Sequence, residues 1–279
     1  MIKEYYELLN PLHALIVLLA IITGIKIAGG AALTVNLLYS AVMSFSIIAG
    51  AFILNDYWDF ETDKANNRQD KPLVNKSIDK KTALIMAIFF LIIGNYSSFL
   101  INERVFLITI IFTGILLAYN YWLKKITLVG NLTIGLTMAI PFIYGNYIIK
   151  NELNLFVLIL SLMAFLMGVG RELIASIRDK KGDLKQGRKT LPLIIGDKKT
   201  GYFASLLILI AILISFFPFL IKGIFYHNLI YFIFILFTDF LLLISVKNTI
   251  NLINFKQTRK LSLIAQLIGV LGFLLATLF

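Results

Sequence analysis

Nine stretches of this chain run for about 20 residues each with almost no charge, long enough to cross the hydrocarbon of a bilayer as helices. They fall at 12–29, 33–54, 82–101, 105–123, 128–149, 153–177, 200–221, 225–246 and 261–279. Within lipid every backbone group must find its partner inside the segment, which leaves helices or a closed barrel. Runs of this length and uniform apolarity specify helices. The expected fold is therefore all-α: a polytopic membrane protein with nine transmembrane helices, read as one domain over 1–279. Composition agrees, since 59% of residues are hydrophobic and 15% charged, against about 25% charged in a soluble domain. Lys3 before the first run could suggest a cleaved signal, but Glu4 and Glu7 spoil the positive region that a signal needs, so a retained helix is expected. The absence of cysteine excludes disulfides, thiolate metal sites and cysteine nucleophiles. Two histidines, His13 and His227, are too few for a histidine-built metal centre.

The formal charge of +11 would point to nucleic acid in a soluble chain. In one this apolar it marks loops instead, because short cytoplasmic connections hold the Lys and Arg of membrane proteins. Twenty-one of the 26 basic residues lie on the N-terminal tail or in the connections after the second, fourth, sixth and eighth runs. The opposite connections carry four, Lys26, Arg104, Lys150 and Lys222. The N-terminus is thus expected in the cytoplasm and the C-terminus outside, with no nucleic-acid partner.

The two longest cytoplasmic connections repeat each other. Asp59, Asp63, Arg68, Pro72 and Leu73 recur 120 residues later as Asp179, Asp183, Arg188, Pro192 and Leu193. Four helices separate the copies, so the repeat is parallel, about an axis along the membrane normal, and both acidic clusters are expected at one mouth of the bundle. The first cluster begins at Asn55, and spacings of three, four and seven put Asp56, Asp59 and Asp63 on one helical face. Asp179 and Asp183 form an i, i+4 pair. Aligned carboxylates at a membrane boundary repel and need a cation. Mg²⁺ suits them, being a hard ion that takes one or two carboxylates and completes its octahedron with substrate phosphates.

Arg68, Arg188, Lys71, Lys189 and Lys124 on the same face are candidate phosphate ligands. Arg171 and Glu172 lie inside the sixth run, and Glu172, Ser176, Asp179 and Asp183 share a helical face, so these residues are expected to line the cavity unless Arg171 and Glu172 form a structural pair elsewhere in the bundle. Asp239 stands alone in the eighth run, as a structural partner for Arg171 or part of an acceptor site. Two further readings use the same residues: salt bridges within each loop, and an ion-transport path. Clustering at one face together with a crowd of basic residues favours a polyphosphate site over transport.

Asn55, Asp56, Asp59 and Asp63 fill an NDxxDxxxD motif and Asp179 and Asp183 a later DxxxD motif. With these the whole chain resembles the UbiA family of intramembrane prenyltransferases. The resemblance implies nine helices, transfer of an isoprenoid chain from its diphosphate to an acceptor, and Mg²⁺ bridging the Asp clusters and the diphosphate. It also implies that Lys124, in the segment from Tyr119, is a diphosphate ligand. The stretch 171–195 is similar to the archaeal branch that ether-links a second geranylgeranyl chain, so geranylgeranyl diphosphate and geranylgeranylglyceryl phosphate are the implied substrates, taken from the lipid bilayer at a cytoplasmic opening. Asn10 and His13 stand where the family commonly has Arg and Asn, and Gln69 and Lys71 where Pro and Arg are usual. An aromatic quinone precursor as acceptor, or transport of a phosphorylated lipid, would use the same motifs.

Overall fold

The computed structural model describes residues 2–31, 34–65, 67–185, 187 and 189–278. Among them nine helices are long and apolar enough to cross a membrane, as the apolar runs require. In chain order the helices are α1 (Ile2–Leu9), α2 (Pro11–Ile27), α3 (Val35–Trp58), α4 (Phe60–Ala65), α5 (Lys80–Ile101), α6 (Glu103–Tyr121), α7 (Val129–Ile149), α8 (Leu155–Lys185), α9 (Leu191–Ile195), α10 (Asp197–Ser215), α11 (Phe217–Leu220), α12 (Leu229–Ile250) and α13 (Phe255–Ala276).

Several ends differ from the sequence expectation, each for a local reason. The first span starts at Glu4, because α1 runs almost into α2 through Asn10, whose φ of 50° turns the chain ahead of Pro11 at the first helical position. The eighth starts at Leu229 rather than 225: Phe225 is buried edge-on against Phe156 and Phe273 in a turn, and Asn228 caps α12 by accepting from the Tyr231 N–H at 3.0 Å. The ninth starts at Phe255 rather than 261, where Asn254 accepts from the Gln257 N–H at 3.2 Å. Lys256, Arg259 and Lys260, expected in a loop, are therefore helical.

Contacts group the chain into two compact units, Met1–Ile21 with Ala31–Leu123, and Ile22–Gly30 with Lys124–Phe279. In the first, Leu8, Ile53, Leu54, Ala83 and Ala87 form a core with Leu73 and Ile78 of the connection after α4. The apolar anchors of that connection pull its polar residues against the end of α3. In the second, α8 packs on α7 through paired glycines: a Cβ on Gly168 would stand 2.8 Å from the Gly135 Cα, so only small residues permit this approach. Leu191 of α9 joins the buried cluster of α8, α10 and α12 and anchors the second connection as Leu73 anchors the first.

Candidate active site

The first acidic cluster sits where α3 gives way to α4. Asn55 and Asp56 occupy the last turn of α3, and the expected single helical face is broken at Asp59, which ends α3 with φ −83° and ψ 0°. The hydrogen-bond ladder nonetheless carries across the break, with the Asp59 N–H on the Asn55 carbonyl at 2.9 Å and the Asp63 N–H on the Asp59 carbonyl at 2.8 Å. Asp56, Asp59 and Asp63 thus follow one another around a kinked rather than a continuous helix. Lys80 braces the kink, its ammonium 4.9 Å from the Tyr57 ring and 4.5 Å from the Phe60 ring, one on each side of the break.

Asp56 is 6% exposed and would be costly as a lone carboxylate. Lys71 compensates it with Nζ 2.7 Å from Oδ1. The connection that carries Lys71 is the one that Leu73 and Ile78 hold in the core. Arg68 lies on the same connection, and its guanidinium is bidentate on Asp70, with Nη2 2.7 Å from Oδ2 and Nε 2.9 Å from Oδ1. That pair holds the Asp70 carboxyl down to about 2, and raises Arg68 in turn. Asp63, half-buried on α4, shifts the other way: desolvation raises its carboxyl above the ordinary 3.8.

The second cluster has a different setting. α8 runs unbroken to Lys185, so Asp179 and Asp183 lie on one helix, one turn apart, as their spacing requires. Asp179 is exposed and takes a bidentate contact from the adjacent Arg178, at 2.6 and 2.7 Å. Lys180 reaches Asp197 at 2.7 Å. Lys189 is exposed, and its carbonyl accepts from the Thr127 hydroxyl. Lys124 is half-buried in a 3₁₀ turn over Leu123–Lys125. Arg188 lies outside the described residues.

Further up α8, Arg171 is buried, and it is not the partner of Asp239. Its Nη1 donates to Gln266 Oε1 at 3.0 Å. Asp239 accepts instead from the Ser215 hydroxyl of α10 at 2.8 Å, and both Arg171 and Asp239 are buried. Glu172 faces Arg259 of α13 at 3.9 Å, and Ser176 lies 3.4 Å from Asn131 of α7. Gln266 and Asn131 were passed over in the sequence, although an amide inside an apolar run is itself a signal. Lys80 and Arg259 were hidden among other loop cations.

Each carboxylate in these clusters is a hard oxygen donor at a helix end, which is the donor chemistry Mg²⁺ takes. Among the described residues no three of them converge into a ready cage. That fits an ion that draws one or two ligands from protein and the rest from phosphate and water. The exposed pairs Arg68–Asp70 and Arg178–Asp179 are each worth about 0–1 kcal/mol, so a ligand carrying several charges can replace them.

The sequence pattern of the UbiA prenyltransferase family matches residues 12–278. The digeranylgeranylglyceryl phosphate synthase of Archaeoglobus fulgidus is 31% identical over 276 residues, covering 98% of this chain and 94% of that one. A solved structure described as digeranylgeranylglyceryl phosphate synthase in membranes superimposes with a TM-score of 0.80 at 28% identity, over 99% of both chains. A UbiA homologue from Archaeoglobus fulgidus bound to GPP and Mg²⁺ shares the fold, with a TM-score of 0.73 at 17% identity over 99% of this chain and 100% of that one.

Proposed function

The chain belongs to the UbiA prenyltransferase family, and from that premise we propose that it transfers a geranylgeranyl chain from geranylgeranyl diphosphate to the hydroxyl of geranylgeranylglyceryl phosphate, forming the second ether bond of an archaeal membrane lipid. The observation that carries this reading is the similarity to a synthase of that name along 98% of the chain. The whole chain acts as one catalytic domain in the bilayer. The distribution of Lys and Arg supports a cytoplasmic N-terminus and a site that opens to the cytoplasm.

In this reading Asp56, Asp59, Asp63, Asp179 and Asp183 are the carboxylates that would hold Mg²⁺. The bound ion would offset the charge that grows on the departing diphosphate. Arg68, Lys71, Lys124, Arg188 and Lys189 bind the diphosphate oxygens, and Asn55 also contacts the substrate. Lys71 has two tasks. It neutralises Asp56, and its ammonium would be released to bind phosphate if Asp56 held Mg²⁺.

The allylic C–O bond breaks and its electron pair leaves with the diphosphate. The glycerol oxygen then forms the new C–O bond, and the hydroxyl proton ends on the released diphosphate. Basic side chains aimed at the leaving group favour this charge separation, and the apolar helices exclude water from the allylic cation.

The test is ether-product formation by the purified full chain in detergent with geranylgeranyl diphosphate and Mg²⁺, given either geranylgeranylglyceryl phosphate or 4-hydroxybenzoate. Product with the glycerol phosphate alone, lost on chelation, is expected. Product with the aromatic acceptor alone would move the chain to another branch of the family.

A further inference from the structure

Among the described residues Arg171 is the one buried cation, and it lies well inside a spanning helix. It lies nine residues from the Lys180 end of that span, roughly 14 Å along α8 at about 1.5 Å per residue, and is 93% buried, being 7% exposed. A guanidinium has five N–H donors. One is placed on Gln266 Oε1 at 3.0 Å, and the nearest other acceptor of Nη1 is the Met138 sulfur at 3.9 Å, a weak partner. Nε is buried and has no hydrogen-bond partner among the described residues. A neutral amide and a thioether do not compensate a charge in this setting, where an unpaired ion is among the costliest groups a helix can carry.

The surroundings bring a second cation and one carboxylate. Arg259 and Gln266 lie seven residues apart on one face of α13, so the helix that supplies the amide to Arg171 presents a second guanidinium two turns away. Glu172 is the only acid that faces Arg259 among the ion pairs of the described residues, at 3.9 Å. That distance is beyond hydrogen-bond reach, so Arg259 keeps its donors available. Both guanidiniums draw on that one carboxylate and repel each other. Arg259 and Glu172 are about one-third exposed, with side-chain exposures of 36% and 29%, whereas Arg171 is buried.

Two cations, one loosely held carboxylate and a buried unpartnered N–H describe a seat for an anion. We infer that Arg171 and Arg259 bind the phosphate of the acceptor, with Gln266 and Glu172 orienting the two guanidiniums. The inference rests on the proposed reaction, whose acceptor is a phosphate monoester while its donor is a diphosphate. Planar guanidiniums suit a phosphate through paired N–H donors, and a charged hydrogen bond deep in the fold accounts for about ten- to hundredfold in affinity.

The experiment compares wild type, Arg259→Gln, Arg259→Lys and Arg171→Lys as purified full chains in detergent. It measures KM separately for geranylgeranylglyceryl phosphate and geranylgeranyl diphosphate, and turnover with the dephosphorylated acceptor geranylgeranylglycerol. Wild type should prefer the phosphorylated acceptor. Arg259→Gln should raise its KM at least about tenfold, leave that of the diphosphate within about twofold, and collapse the preference between the two acceptors, with Arg259→Lys restoring part of it. Arg171→Lys, which keeps the charge where Arg171→Gln could fail to fold, should weaken the same preference because it cannot offer paired donors. An equal loss for both acceptors, or a rise in KM for the diphosphate as large as that for the acceptor, would overturn the assignment. A wild-type enzyme that prenylates 4-hydroxybenzoate but not the glycerol phosphate would instead remove the reaction on which the assignment rests.

Discussion

The two acidic clusters repeat a sequence and differ in physics. In the first, the helix kinks at Asp59 and buries Asp56 at 6% exposure against Lys71. In the second, α8 continues straight through Asp179 and Asp183, and Asp179 stays half in solvent with its neighbour Arg178. The second copy has no counterpart to Asp56: the position 120 residues on is Ser176, which bonds back to the Glu172 carbonyl at 3.0 Å. Spacing alone therefore does not make two sites equivalent. The first cluster is built into the stability of its unit, whereas the second is attached to a helix that would form without it.

That difference can be broken experimentally. The largest effect falls on activity and is common to both sides: Asp56→Ala and Asp179→Ala should each lower turnover by about 10³-fold or more, as expected for loss of groups that stabilise a departing anion. Removal of Mg²⁺ by chelation should do the same to the wild type in a product assay. Stability should separate them. Asp56→Ala strands the half-buried Lys71 and Lys71→Met the buried Asp56, and each should cost about 1–3 kcal/mol, seen as a lower thermal midpoint in detergent. Asp179→Ala should stay within about 0.5 kcal/mol. Equal thermal shifts for the two Asp variants would refute the contrast.

Smaller effects sharpen it. Lys80→Met removes the cation between Tyr57 and Phe60 and should cost about 0.5–1 kcal/mol, with a milder loss of turnover as the Asp56 to Asp63 turn loosens; no change in either would mean that the kink holds itself. The smallest effect is in the acid limb of stability. Asp70 is held at about 2 in the folded chain by Arg68, below the ordinary 3.8, so its contribution is complete above about 4 and is lost as pH falls towards 2. Screening at this exposed pair keeps it under about 1 kcal/mol. Asp63 is raised by burial, so it favours the folded chain below the ordinary carboxylate value, and that advantage disappears as pH rises through its folded value. Asp70→Asn should flatten the first slope and Asp63→Asn the second, read from thermal midpoints between pH 2 and pH 6.

Much of this was legible in the residues. The nine spans follow from apolar length, and Asp179 and Asp183 stand one turn apart because an i, i+4 spacing on an unbroken helix leaves no alternative. The kink at Asp59 was not legible, since Asn55 to Asp63 keeps helical spacing throughout. Nor were the pairings of Arg171 with Gln266 and Asp239 with Ser215, which join residues 95 and 24 positions apart. A charged side chain in the sequence announces that it needs a partner and says nothing of which one it will meet.

By itself, then, the sequence determined the number of crossings, the repeat of the acids and the kind of ion and anion they suit, because apolar length and local spacing act within a single helix. Only the tertiary structure decided which carboxylate is buried, which cation neutralises it, and that two arginines from α8 and α13 share one glutamate. Those outcomes depend on how helices distant in sequence pack, and the cost of burying a charge is settled only when every neighbour is in place.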